Sequence, residues 1–66
     1  MNVLFIISSD DGETIYNAMR LANVGVGRGD DISVFMLGKG VCFETSGTKE
    51  FDVMGQMNTF EGDFYV

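Results

Sequence analysis

The 66-residue chain has no histidine, no proline, no tryptophan and a single cysteine. Without histidine there are no imidazole metal ligands, no histidine-based catalytic triads and no proton shuttle working near neutral pH. One cysteine excludes an intrachain disulfide framework and a thiolate-rich metal centre, so neither a metal nor another cofactor is expected. Bases are scarce: four Lys and Arg stand against ten Asp and Glu, for a net charge of -6. Neutralisation of phosphates by Lys and Arg supplies most nucleic-acid affinity, and anionic membrane surfaces select the same residues. Neither partner is therefore expected. No apolar run reaches transmembrane length. The run at the N-terminus lacks a basic flank and stops at Ser8-Ser9-Asp10-Asp11, before a signal-peptide core is complete, which predicts a cytoplasmic address.

What remains is a small apolar core with a regular pattern. A chain of this size buries only about 60% of its unfolded surface, so its stability is marginal unless further chain or a partner contributes. Val3 to Ile7 is an uninterrupted apolar run bounded by polar residues, predicting a strand buried on both faces. Asp10 and Glu13 have the spacing of a capping box, predicting a helix that starts there. Ile15, Ala18, Met19, Ala22 and Val26 recur at three- and four-residue steps along it. Gly25, Gly27 and Gly29 weaken its end, predicting fraying after Val24 and a left-handed cap at Gly29. Ile32 to Leu37, apolar on both faces, predicts a second central strand.

Val41 to Lys49 follows neither the helical nor the strand period and is expected to be a loop. Asp52 precedes Val53, Met54, Met57 and Phe60, which share one helical face, with Gly62 placed as a C-cap. Asp63-Phe64-Tyr65-Val66 opens a third strand with no turn signal after it, so residues 1–66 read as the N-terminal part of a single longer α/β domain. The order βαβαβ predicts a mostly parallel sheet with right-handed crossovers. Both visible helices then fall on one face, and the opposite apolar face is left for an interface or a further layer.

Few residues carry chemistry. Ser8, Ser9 and Asp10 follow the first strand at its carboxyl end, where open α/β sheets bind ligands, and Gly38-Lys39-Gly40 offers amides and an ammonium after the second. These six residues form a candidate ligand site, set against the plainer readings of a helix cap and a turn. Gly25-x-Gly27-x-Gly29 superficially suggests a dinucleotide loop, but it closes a helix, whereas that loop must join a strand to the helix after it. Cys42 is the only nucleophilic sulfur. Lys39 would favour its thiolate, while the apolar neighbours Val41 and Phe43 point to a buried structural thiol.

The stretch Asn2-Val3-Leu4-Phe5-Ile6-Ile7-Ser8-Ser9-Asp10-Asp11, followed by Glu13-Thr14-Ile15-Tyr16-Asn17-Ala18-Met19-Arg20-Leu21-Ala22, resembles the DsrE/DsrF-like sulfur-relay family. The likeness continues through Ile32-Ser33-Val34-Phe35-Met36-Leu37-Gly38 and through Phe51-Asp52-Val53 with Gln56-Met57. It implies an α/β three-layer sandwich on a mostly parallel five-stranded sheet, assembly as a homo-oligomer, and transfer of sulfane sulfur as a cysteine persulfide between donor and acceptor proteins. It also places the family's sulfur-carrying cysteine just after the third strand, a position beyond Val66 that Cys42 does not match. Two other functions fit the residues: a small-molecule or nucleotide-binding module using Ser8, Ser9, Gly38 and Lys39, and a non-catalytic oligomeric subunit.

Overall fold

Val, Ile, Leu and Phe fill the first strand because branched and aromatic side chains pack well on a pleated surface. In the computed structural model, which describes residues 1–66, this strand is β1, Asn2–Ile7. The 16-residue helix α1, Gly12–Gly27, follows, then β2, Asp31–Met36. Gly38–Thr45 is 3-10 helical in two turns that meet at a kink at Cys42, α2 spans Val53–Thr59, and β3 is Asp63–Tyr65. The strands lie in the order β1-β2-β3 and are parallel throughout. The βαβαβ order and parallel sheet are as the sequence predicts.

Strand alternation sorts side chains between two unlike faces. Val3, Phe5 and Ile7 of β1 pair with Ile32, Val34 and Met36 of β2 on one of them. There Ile7, Ile32, Val34 and Met36 join Ile15, Met19 and Ala22 of α1 and Val53 of α2 in one buried cluster. Full burial of each Val, Ile or Met side chain among them contributes about 1.5–3 kcal/mol. The helices meet over this face, where the Asn23 amide of α1 donates to the backbone carbonyl (3.1 Å) and Oε1 (3.0 Å) of Gln56 in α2.

The other face carries Leu4 and Ile6, which are 57% and 63% exposed, together with exposed Phe35 and Tyr65. The expectation that β1 is buried on both faces is therefore corrected. These residues build a sheet and one helical layer, and no element lies on the second face. β1 is an edge strand, and β2 alone is central.

Several local expectations also shift. Asp11, not Asp10, caps α1: its Oδ2 accepts from the Thr14 N–H at 3.0 Å and from Thr14 Oγ1 at 2.8 Å. Ser9 Oγ accepts from the Asp11 N–H at 3.0 Å, which fixes the preceding turn and sets the cap one residue later. The helix does not fray at Val24. It continues to Gly27 and closes in a Schellman motif, with the Asp30 N–H donating to Gly25 O and the Gly29 N–H to Val26 O, both at 3.0 Å. Gly29 takes φ +88°, the left-handed cap foreseen for it. α2 begins as expected, with Asp52 Oδ1 accepting from the Gly55 N–H at 3.0 Å. Its C-cap is Phe60 rather than Gly62, which instead seats against the Ile32 carbonyl and the Phe60 ring.

Candidate functional site

The carboxyl ends of β1 and β2 bring two predicted segments together. Gly40 is buried against the Ile7 carbonyl and Ser8, and Gly38 (φ +55°) turns beside the Ser8 carbonyl. A side chain at Gly40 would collide with the β1 backbone, so glycine there permits close approach of two chain segments. The Gly40 N–H donates to Leu37 O at 2.9 Å, starting the 3-10 helix. Ser8, Asp10 and Lys39 are exposed at this rim, while Ser9 is engaged in the turn that leads to the Asp11 cap. No cavity of the protein is lined by Ser8, Ser9, Asp10, Gly38, Lys39, Gly40 or Cys42.

The segment expected to be a loop is this 3-10 helix. The segment is kinked at Cys42 (φ -84°, ψ 15°), and Gly40 before the kink and Phe43 and Ser46 after it lie inward, buried or half-buried. Phe43 packs edge-on against Phe64 of β3, with centroids 5.4 Å apart at 80°. Cys42 falls between inward positions and is an exposed free thiol, correcting the expectation that Val41 and Phe43 would bury it. Its carbonyl accepts from Thr45 Oγ1 (3.1 Å) and Ser46 Oγ (2.9 Å), so two hydroxyls three and four residues on hold the backbone beneath the thiol.

The largest cleft, about 450 Å³, lies elsewhere, at the start of α1 between Asp11, Gly12 and Glu13 and the segment Thr48–Phe51. That segment is a closed turn. Thr48 Oγ1 accepts from the Phe51 N–H, the Thr48 N–H donates to Phe51 O, both at 3.0 Å, and the Phe51 ring packs on Tyr16 with centroids 5.5 Å apart. Sequence reasoning missed this docking of residues 48–51 on α1. Asp11, Glu13 and Glu50 give the cleft three carboxylates against the one ammonium of Lys49. The two Thr14 donors, first the hydroxyl and then the amide, hold the Asp11 carboxyl below the ordinary aspartate range, so it is charged at neutral pH. This cleft repels phosphate and gives nucleotide binding no support. No group of three or more carboxylate or thiol side chains is arranged to hold a metal ion, and no helix is long and apolar enough to cross a membrane.

Comparison of the chain with models of protein families, with curated proteins and with solved structures finds no match in any of the three.

Proposed function

We propose that this chain belongs to a sulfur-relay-type carrier that holds sulfane sulfur as a cysteine persulfide, with uptake on Cys42, a thiol distinct from the position beyond Val66 where the family that the sequence resembles carries its sulfur. The observation that supports this reading is the exposed Cys42 thiol at the carboxyl rim of a parallel sheet, on backbone fixed by the Thr45 and Ser46 hydroxyls. The reaction needs an accessible thiolate and a donor persulfide. The Cys42 thiolate attacks the terminal sulfur of the donor, forming a new S–S bond. The donor S–S bond breaks, and the donor leaves as a thiolate that takes a proton. No external oxidant or reductant is consumed. Exposure suits exchange between proteins, so the partners are a sulfur donor and an acceptor thiol protein in the cytoplasm.

The test is the intact mass of the natural gene product before and after exposure to a low-molecular-weight persulfide, compared with its Cys42→Ser variant. A reducible gain of one sulfur that disappears in the variant is the expected result. A gain retained by the variant moves the carrier role to a thiol outside these residues, and no gain removes the carrier reading. A second reading, a non-catalytic oligomeric subunit, is favoured by the exposed apolar face of Leu4, Ile6, Phe35 and Tyr65. Concentration-dependent assembly without sulfur uptake selects it.

A further inference from the structure

Asp11-Gly12 is the one bond in the chain where an Asp or Asn precedes a Gly. Such a bond carries its own reagent: with no side chain to shield it, the glycine nitrogen reaches the neighbouring carboxyl carbon and closes a five-membered ring. The glycine here is compelled. A Cβ at Gly12 would collide with the Ser46 carbonyl oxygen, so the Ser46 backbone, passing over the start of α1, leaves no room for another residue. Asp11 in turn supplies the cap of α1. The Gly12 N–H, the first of the helix, has no hydrogen-bond partner in the chain and follows the exposed Asp11 directly.

Two features of the folded chain keep these atoms from reacting. Ring closure needs the Asp11 Cβ and the Gly12 nitrogen in line about the Cα–C bond. The extended Asp11 backbone (φ -70°, ψ 120°) turns them apart, and the Ile15 N–H, donating to Asp11 O at 3.0 Å, resists the rotation that would align them. The carboxyl must also be neutral, because its oxygen leaves as water only with a proton on it. The two Thr14 donors, at 3.0 and 2.8 Å, favour the charged form instead. Both restraints belong to the first turn of α1, so both are released together when that turn opens.

We propose that Asp11-Gly12 is a site of spontaneous isoaspartate formation, gated by opening of the first turn of α1. In the open turn the Gly12 nitrogen bonds to Asp11 Cγ. A Cγ–O bond breaks, the Gly12 amide proton and the carboxyl hydroxyl leave as one water, and a succinimide remains. Water then adds back to the ring. Cleavage at Cγ restores aspartate, whereas cleavage at the α-carbonyl leaves the main chain running through Cβ and Cγ. The isoaspartyl backbone is one methylene longer and its carboxylate sits on Cα, so it neither caps α1 through Thr14 nor holds Gly12 under the Ser46 carbonyl. A transient opening is thereby made permanent, and the turn Thr48–Phe51 loses the helix end that it lies against.

The natural gene product, aged at neutral pH in buffer and in guanidinium, tests this. Isoaspartate is counted with an isoaspartyl carboxyl methyltransferase and labelled S-adenosylmethionine, and is located by electron-transfer fragmentation of the tryptic peptide that ends at Arg20. The unfolded chain is expected to accumulate it at Asp11, and the folded chain to do so several-fold more slowly. Thr14→Val, which deletes the hydroxyl donor, is expected to keep its helical circular dichroism and isomerise about two- to fivefold faster than the wild type, the range that partial loss of a helix N-cap corresponds to. Thr14→Ser, which keeps the hydroxyl, should match the wild type. Isoaspartate at a different aspartate overturns the proposal. So does a folded chain that isomerises as fast as the unfolded one, or a folded Thr14→Val chain that isomerises at the wild-type rate.

Discussion

Alanine at Gly25, Gly27 and Gly29 should change stability in different directions, because each glycine occupies a different environment. A Cβ at Gly27 meets no atom within 4 Å, so Gly27→Ala is expected to gain about 0.5–1 kcal/mol from reduced backbone entropy. In a domain of this size that raises the melting temperature by roughly 2–8 °C. Gly29 has φ +88°, where a Cβ costs about 1–2 kcal/mol. A less flexible unfolded chain offsets part of this, leaving Gly29→Ala a net loss of about 1 kcal/mol, or roughly 4–8 °C.

Gly25 is the discriminating site. Its Cβ would lie 2.8 Å from Cδ1 and 3.1 Å from Cγ1 of Ile32, a core residue only 3% exposed. The helix-propensity gain of about 1 kcal/mol is then opposed by overpacking that costs about 1–3 kcal/mol, so Gly25→Ala should be neutral to destabilising by up to about 2 kcal/mol. Ile32→Val deletes Cδ1, so the double variant should show favourable coupling of about 1 kcal/mol. Thermal melts followed by circular dichroism read the wild type and the five variants, Ile32→Val included. A Gly25→Ala variant that stabilises as much as Gly27→Ala, or a double variant without coupling, would refute the close approach of α1 to β2.

Other substitutions probe the remaining contacts. Asn23→Ala removes both bonds to Gln56 and should cost about 1–2 kcal/mol by urea denaturation, with little change in helix content. Asp11→Ala should lower stability at neutral pH. Because the folded-state pKa of Asp11 is depressed, its contribution is present above the unfolded-state pKa and lost as pH falls through the folded one. Melts of the wild type and this variant should therefore converge in acid. Met19→Ala empties a fully buried site that helps join α1 to the sheet and should cost about 2–5 kcal/mol, enough to unfold a marginal domain. Cys42→Ser should change stability by less than about 0.5 kcal/mol, because the thiol is exposed, and a thiol reagent should label the wild type as fast in buffer as in denaturant.

The elements that the sequence made legible are those whose period is strong over their whole length. Ile15, Met19 and Ala22 could share a buried stripe only on a helix, and the Asp52 cap and the left-handed Gly29 follow from local chemistry that tertiary contacts do not override. The β1 error has a different origin. An apolar run reads the same whether one face or both are covered, so Val3 to Ile7 cannot report that Leu4 and Ile6 stand open. At the start of α1, Asp10 and Asp11 both have a residue at the right spacing for a cap. The choice was made by Ser9, whose hydroxyl engages the Asp11 amide. Apolar Val41 and Phe43 flank Cys42 in the sequence, but the 3-10 turn sends Phe43 inward and Cys42 out. The rim residues Ser8, Gly38 and Gly40 do converge as expected, yet around backbone packing rather than a cavity.

A carrier must release sulfur as well as accept it, and that step tests the central claim most directly. The protein, loaded with one sulfane sulfur and freed of donor, is mixed with a thiol acceptor, and both intact masses are followed. The account predicts that the protein returns to its unloaded mass as the acceptor gains one sulfur, and that the Cys42→Ser variant takes no part. Sulfur that never loads, or that stays on the protein in the presence of excess acceptor, would contradict it.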